Sequence, residues 1–191
     1  MWHDIVLDDK FWAELGNEDA RIAARVKAGG CVHCGGRLDH ADYPRKPRGG
    51  GVAQAGERMV RRTSFCCAKE GCRLRETPPS LVFLGRRVYL GIAVLVWSLR
   101  VAQAAWTSSS PPRRTVGRWV EWFREQLPKT DLFVAARGRL WPPISDGDAL
   151  PGVLVERFAK ERGSTIDALV ATLRFLSPLR QTRSARLVRV G

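Results

Sequence analysis

The sequence predicts an α+β protein that is mostly α, with a small cysteine-bearing β ribbon near the N-terminus followed by a helical bundle. Three observations predict it. Cysteines fall in two clusters, Cys31/Cys34 and Cys66/Cys67/Cys72, inside a stretch rich in glycine and short on helical pattern. Apolar residues recur at helical spacing before and after that stretch. Proline and glycine punctuate the remainder at points where helices must stop.

Taken in order, Phe11 to Lys27 reads as an amphipathic helix, because Phe11, Leu15, Ile22 and Val26 share a face and Gly29-Gly30 ends it. Met59 to Phe65 reads as a strand, and Tyr43 to Gly51 (YPRKPRGGG) as a loop between the cysteine clusters. Thr77-Pro78-Pro79 reads as a linker. Leu81 to Trp106 has a strong apolar helical pattern, followed by a break over Thr107 to Pro112, where Ser110 and Pro111 suit a helix start. Thr115 to Leu127 is the clearest amphipathic helix, with Val116, Val120, Phe123 and Leu127 on one face, Trp119 beside them and Pro128 as its stop. A further helix is expected to start after Thr130, and two more over 151–162 and 165–176, with a basic tail after Pro178. The expected organisation is residues 1–28 as an N-terminal helix, 29–80 as the ribbon, 81–129 as a helix-turn-helix-like unit, and 130–191 as C-terminal helices with the basic tail. Trp2 and Trp12 are expected to anchor the first helix, and Trp97, Trp106, Trp119, Trp122 and Trp141 to lie in the core.

The chain of 191 residues carries 32 Lys and Arg against 19 Asp and Glu, a formal charge of +13 and a pI near 10.6. The excess is not uniform: residues 1–36 are net −2, whereas 37–75 and 86–129 are each net +6. Arginine forks match phosphates and base edges, so the two middle blocks point to a polyanionic partner. The longest apolar run, Val88 to Leu99, falls short of the roughly 20 residues that span a membrane. No secretory leader is visible, so a cytoplasmic setting with reduced thiols is expected, and the odd cysteine count argues against a disulfide framework.

Cys31-Val32-His33-Cys34-Gly35-Gly36 has the spacing of a metal knuckle, with glycines that let backbone turn toward the sulfurs. A second knuckle at Phe65-Cys66-Cys67-Ala68-Lys69-Glu70-Gly71-Cys72 can complete a tetrahedron. Four thiolates form the closed shell of one structural Zn2+, with no position left open for catalysis. The expected ligands are Cys31, Cys34, Cys67 and Cys72, with Cys66 as the alternative to Cys67. In a strand Phe65 and Cys67 point to one side, which favours Cys67. His33 and His40 are weaker substitutes.

The candidate DNA contacts follow the charge. Arg45, Lys46 and Arg48 lie on the loop between the knuckles, and Arg61, Arg62, Arg73 and Arg75 flank the second knuckle. Ser108 to Leu127 has the layout of a helix-turn-helix, in which Arg113, Arg114, Thr115 and Arg118 would enter the major groove. Each group can instead be a solvated surface.

The run from CVHCGGRL through FCCAKEGCRLRETPPSLVFLGRRVYL to SSSPPRRTVGRWVEWF, about residues 30–127, resembles the N-terminal part of bacterial insertion-sequence transposases, a zinc ribbon leading into a helix-turn-helix. More narrowly it looks like short zinc-ribbon proteins associated with mobile elements. The resemblance implies that the ribbon cysteines support binding to an element's terminal DNA, and that Arg113, Arg114 and Arg118 contact it. Those transposases continue into a ribonuclease-H-like domain with three catalytic acids. Here about 64 residues follow Leu127, and they read as helices that do not present Asp131, Asp146, Asp148 or Asp167 on strands. The expectation is therefore a non-catalytic, duplex-DNA-binding accessory or regulator of transposition or transcription, nucleoid-associated and without a membrane contact. A recombinase or transposase is a candidate protein partner. The alternatives are a zinc-stabilised protein-interaction subunit and a small nuclease or transposase.

Overall fold

The computed structural model describes residues 9–45, 61–84, 89–99, 111–145 and 147–177. The expected class holds: a small antiparallel β ribbon joins a body made of helices.

Helix α1, Asp9–Gly29, opens with an acid in its first turn and closes with Lys27 in its last, both favourable to the helix dipole. Gly30 stops it at φ 74°, and a side chain there would also meet the Gly35 carbonyl oxygen at 2.9 Å. The ribbon follows: β1 (Leu38–His40), β2 (Tyr43–Pro44), β3 (Arg61–Arg62), β4 (Phe65–Cys67) and β5 (Arg75–Glu76). Strands β1, β4 and β5 form one antiparallel sheet with β4 in the middle, and β2 pairs with β3. The register sets Leu38 opposite Cys67 and His40 opposite Phe65. Because side chains alternate, Phe65 and Cys67 turn inward together and Cys66 does not.

The body consists of α2 (Gly91–Leu99), α3 (Arg113–Glu121), α4 (Asp131–Arg137), α5 (Gly152–Arg162) and α6 (Thr165–Leu176). Helix α2 is buried over Gly91 to Val96, so its apolar pattern runs all round it. Helix α3 buries Val116 and Trp119, continues through a π turn at Trp122–Gln126 that buries Phe123, and tightens to a 3-10 turn at Leu127–Lys129. Pro128 lacks the amide an α-helix needs there, which accounts for the tightened end. Thr130 then caps α4 by accepting the Phe133 amide at 3.2 Å. Helices α5 and α6 form a hairpin turned by Gly163 at φ 72°, with Ser164 capping α6.

Two clusters of buried apolar side chains result. The larger joins Phe11, Trp12 and Leu15 of α1 to α2, α3 and α6. The smaller contains Ala23 of α1 with Cys31, Leu38, Phe65 and Cys67 of the ribbon. Helix α1 therefore contributes to both clusters, Phe11, Trp12 and Leu15 to the body and Ala23 to the ribbon. Buried Glu18 on α1 pairs with Arg21 and, at 3.3 Å, with Arg174 of α6, tying the ends of the described chain together.

Several expectations change. Thr77-Pro78-Pro79 is not an exposed linker: Pro78, Pro79 and Ser80 are buried. Helix does not begin at Leu81. Leu81 to Phe83 form a bend whose apolar side chains fill the core, and Gly91 starts α2 with its amide on the Val82 carbonyl at 2.7 Å. Trp141 is 87% exposed rather than buried, because it rides on a Pro142-Pro143 loop outside any helix. The strand expected over Met59 to Phe65 is, in its described part, two short strands, β3 and β4, interrupted at Thr63 and Ser64. Trp2, Trp106, Met59, Val60, the break from Thr107 to Ser110 and the tail after Pro178 lie outside the described residues.

Candidate metal centre

Cys31, Cys34, Cys67 and Cys72 meet at one point, with all four Sγ atoms within 4.8 Å of one another. Among the described residues they form the group of Cys, His, Asp and Glu side chains placed to share a metal ion. Cys31 and Cys72 Sγ stand 3.8 Å apart, and Cys34 and Cys67 Sγ 3.5 Å. A metal–sulfur bond of about 2.3 Å requires a tetrahedral sulfur–sulfur edge of about 3.8 Å, so the cage has the size a zinc-sized ion needs.

Local sequence explains how the thiols converge. In the first knuckle the Gly35 amide donates to the Cys31 carbonyl at 2.8 Å and the Cys31 amide to the Gly36 carbonyl at 2.9 Å. A Cβ on Gly36 would lie 3.1 Å from Cys67 Sγ and 3.3 Å from Cys34 Sγ, so the turn passes against the sulfurs where only glycine fits easily. In the second knuckle the Cys72 amide donates to the Lys69 carbonyl at 3.1 Å, with Gly71 at φ 81° and Arg73 at φ 46°. The sheet brings the two together through the Leu38–Cys67 register and an Ala68 amide on the Arg37 carbonyl at 2.9 Å.

The electrostatics fit a cation. The Gly36 amide and the Cys67 thiol draw Cys34 down to about 7. The Lys69 amide pulls Cys67 the same way, but burial and three neighbouring sulfurs outweigh it and push Cys67 up to about 12. Cys72 is likewise raised: its Leu74 amide bond favours the thiolate, and burial with the sulfurs of Cys34 and Cys31 prevails over it. Four negative sulfurs cannot share this space without a positive ion between them. Cys66 stands aside, with its sulfur 3.4 Å from the Arg73 carbonyl oxygen.

The cage also answers a weakness of the ribbon. Its strands are two or three residues long and its cluster holds five buried residues, too little apolar area to hold such a unit unaided.

The expected DNA-contacting arginines separate into distinct groups. Arg113, Arg114 and Arg118 are exposed on the first turns of α3, with Thr115 half-buried among them. Arg61 and Arg73 are exposed on the ribbon. Arg75 is exposed but donates to the Ala41 carbonyl at 3.2 Å and lies 5.8 Å from the Tyr43 ring centre. Arg45 is half-buried, its guanidinium 5.3 Å from the Phe83 ring centre and 5.6 Å from that of Tyr43. Arg62 departs from expectation. It is 2% exposed and donates to the Pro78 carbonyl, so it serves the junction between ribbon and body and cannot meet a phosphate. Lys46 and Arg48 lie outside the described residues, as does Asp146. Asp148 accepts the Ser145 amide at 2.8 Å, which gives it a part in the loop.

Sequence reasoning missed Asp19, which accepts both the Ser80 hydroxyl and the Leu81 amide. Its pattern signal was that of any exposed helix acid. Comparison with protein-family models, with curated proteins and with solved structures gives no match. No described helix is long and apolar enough to cross a membrane.

Proposed function

We propose that this chain is a DNA-binding protein shaped by one structural zinc ion, acting without catalysis of its own as an accessory or regulator of a mobile element. The observation that carries the reading is the start of α3. Arg113 and Arg114 lie exposed in its first turn with no acid beside them, Arg118 is exposed one turn further on, and Pro112 at the N-cap makes no side-chain cap to the leading amides. Two arginines in the first turn stand at the positive end of the helix and oppose its dipole, and a phosphate backbone offsets both. Such a helix start can place arginine forks on guanine edges or phosphates.

Three further features support the reading. The four-sulfur donor set suits zinc in a closed, structural role. Arg61 and Arg73 extend the exposed positive surface onto the ribbon that this ion would stiffen. The likeness of residues 30–127 to the ribbon and helix-turn-helix of insertion-sequence transposases supplies the link to mobile elements, to duplex DNA in the bacterial nucleoid, and to a transposase or recombinase as a protein partner. Residues 100–110 of the segment joining α2 to α3 lie outside those described, so the helix-turn-helix belongs to this proposal.

The test is equilibrium binding of the zinc-loaded chain to duplex DNA over a salt series. The expected result is an affinity that falls linearly, on logarithmic axes, as salt rises, with a slope near −0.9 per phosphate contact. Absence of binding at low salt, or a flat response, overturns the proposal.

A further inference from the structure

We propose that the metal cage governs the order of α2 and α3 through a clasp at the junction of ribbon and body, so that loss of the ion loosens these two helices. The inference rests on the reading of the four thiols as a zinc site and adds a regulatory consequence to it.

The clasp closes on Pro78 to Phe83, the stretch by which the chain leaves β5 and enters the body. Two of its contacts come from the ribbon. Buried Arg62 of β3 donates to the Pro78 carbonyl, and Arg45, just after β2, sets its guanidinium 5.3 Å from the Phe83 ring centre. Strands β2 and β3 pair with Tyr43 opposite Arg62, so both arginines belong to one arm. That arm extends the hairpin of β1 and β4, which carries Cys67: the Ala41 amide donates to the Ser64 carbonyl at 2.8 Å, and the Ser64 amide to Asp42 at 3.0 Å. A third contact comes from α1, where Asp19 accepts the Ser80 hydroxyl and the Leu81 amide.

The clasped stretch is also where α2 takes its start. The Gly91 amide donates to the Val82 carbonyl at 2.7 Å, and Leu81, Val82 and Phe83 are buried in the main cluster. Tyr89 then meets Trp119 of α3 edge to face, with ring centres 4.9 Å apart, and α2 packs against α3. A continuous run of contacts thus leads from the cage to α3. Without its ion the ribbon has strands of two or three residues and little core, so it loses its fold. Arg45 and Arg62 then leave the stretch. The Pro78 carbonyl loses its donor and Asp19 loses a favourable positive charge, and leaving such groups buried disfavours the clasped arrangement. When the stretch opens, α2 loses the acceptor for its first amide. Helix α5 takes no part in these contacts among the described residues and serves as the reference.

The experiment is amide hydrogen exchange of the full-length zinc-loaded protein before and after chelation, read over α2 (91–99) and α5 (152–162). In wild type, chelation is expected to speed exchange over α2 about tenfold and over α5 by less than about twofold. Arg62→Met is expected to keep one zinc per chain, to exchange fast over α2 even with zinc bound, and to gain less than about twofold on chelation. Arg45 is only half-buried, so Arg45→Leu is the second variant if Arg62→Met does not fold, and it is expected to shrink the chelation effect over α2 at least about threefold. Unchanged exchange over α2 in chelated wild type overturns the clasp while the zinc site stands. Equal acceleration of α2 and α5 overturns it too, since the ion would then staple the whole chain. If the folded variants respond to chelation as fully as wild type, the ribbon acts through α1 instead and the clasp is overturned. If wild type takes up no zinc, the metal reading itself has failed and the clasp with it.

Discussion

The carboxylate of Asp19 on α1 accepts the backbone amide of Leu81 at 2.6 Å, although 62 residues of chain separate them. The same carboxylate accepts the Ser80 hydroxyl, and Ser80 Oγ in turn accepts the Phe83 amide at 3.0 Å. Arg62, buried on β3, contributes a favourable charge to Asp19 and donates to the Pro78 carbonyl. One acid on α1 thus fixes the segment by which the chain leaves the ribbon and enters the helical body.

Burial holds the Asp19 carboxyl above its ordinary range, more strongly than the Ser80 and Leu81 hydrogen bonds and the Arg62 charge lower it. The folded state therefore keeps this proton to a higher pH than the unfolded chain does. That contribution is fully present below the unfolded value of 3.8 and is lost as pH rises through the folded value. Asp19→Asn retains an acceptor for the Leu81 amide and removes the titration. Urea unfolding of both proteins at a series of pH values above 3.8 should show wild type losing stability relative to Asp19→Asn as pH rises. A constant difference across the series would contradict the assignment.

Zinc content should discriminate among the cysteines. Cys34→Ser and Cys67→Ser remove corners of the cage and should abolish stoichiometric zinc while unfolding the ribbon, because metal binding energy at such sites is folding energy. Cys66→Ser should retain one zinc per chain, since its sulfur faces the Arg73 carbonyl instead. Metal analysis after desalting reads this directly, and loss of zinc in Cys66→Ser would exchange the roles of Cys66 and Cys67.

Arg114→Ala with Arg118→Ala should weaken duplex binding and make the salt slope shallower by about two. Both side chains are exposed, so melting should change by less than about 0.5 kcal/mol in stability. A large fall in melting temperature with unchanged affinity would mean the pair serves the fold.

Two glycines should respond in opposite directions. A Cβ on Gly91 would lie 2.7 Å from the Leu81 carbonyl oxygen and 3.1 Å from a Leu84 carbon, so Gly91→Ala should cost about 1–3 kcal/mol. Gly117 is exposed within α3 and meets nothing within 4 Å, so Gly117→Ala should stabilise by about 0.4–1 kcal/mol. Thermal melts of the two variants check both signs.

Helices with regular apolar spacing and clear stops were readable from the sequence. Gly152–Arg162 and Thr165–Leu176 match their expected spans within a residue, and α1 differs by two at each end. The cysteines were legible for the same reason: a knuckle is local, and its turn is encoded by glycines beside the thiols. The preference for Cys67 over Cys66 followed from strand alternation, which the neighbouring Phe65 already disclosed.

What sequence alone determined about this protein is its class, its strong positive charge and its two cysteine knuckles, since each depends on residue type and short-range spacing. Tertiary structure decided the rest. Whether Arg62 faces solvent depends on Asp19 and on the Pro78 carbonyl, neither of which is near it in the chain. Whether Trp141 is core or surface depends on how α5 holds the loop that carries it, as Arg157 does through Pro142. Hydrophobicity fixes what burial would gain, but only the packed partners determine which side chains obtain it.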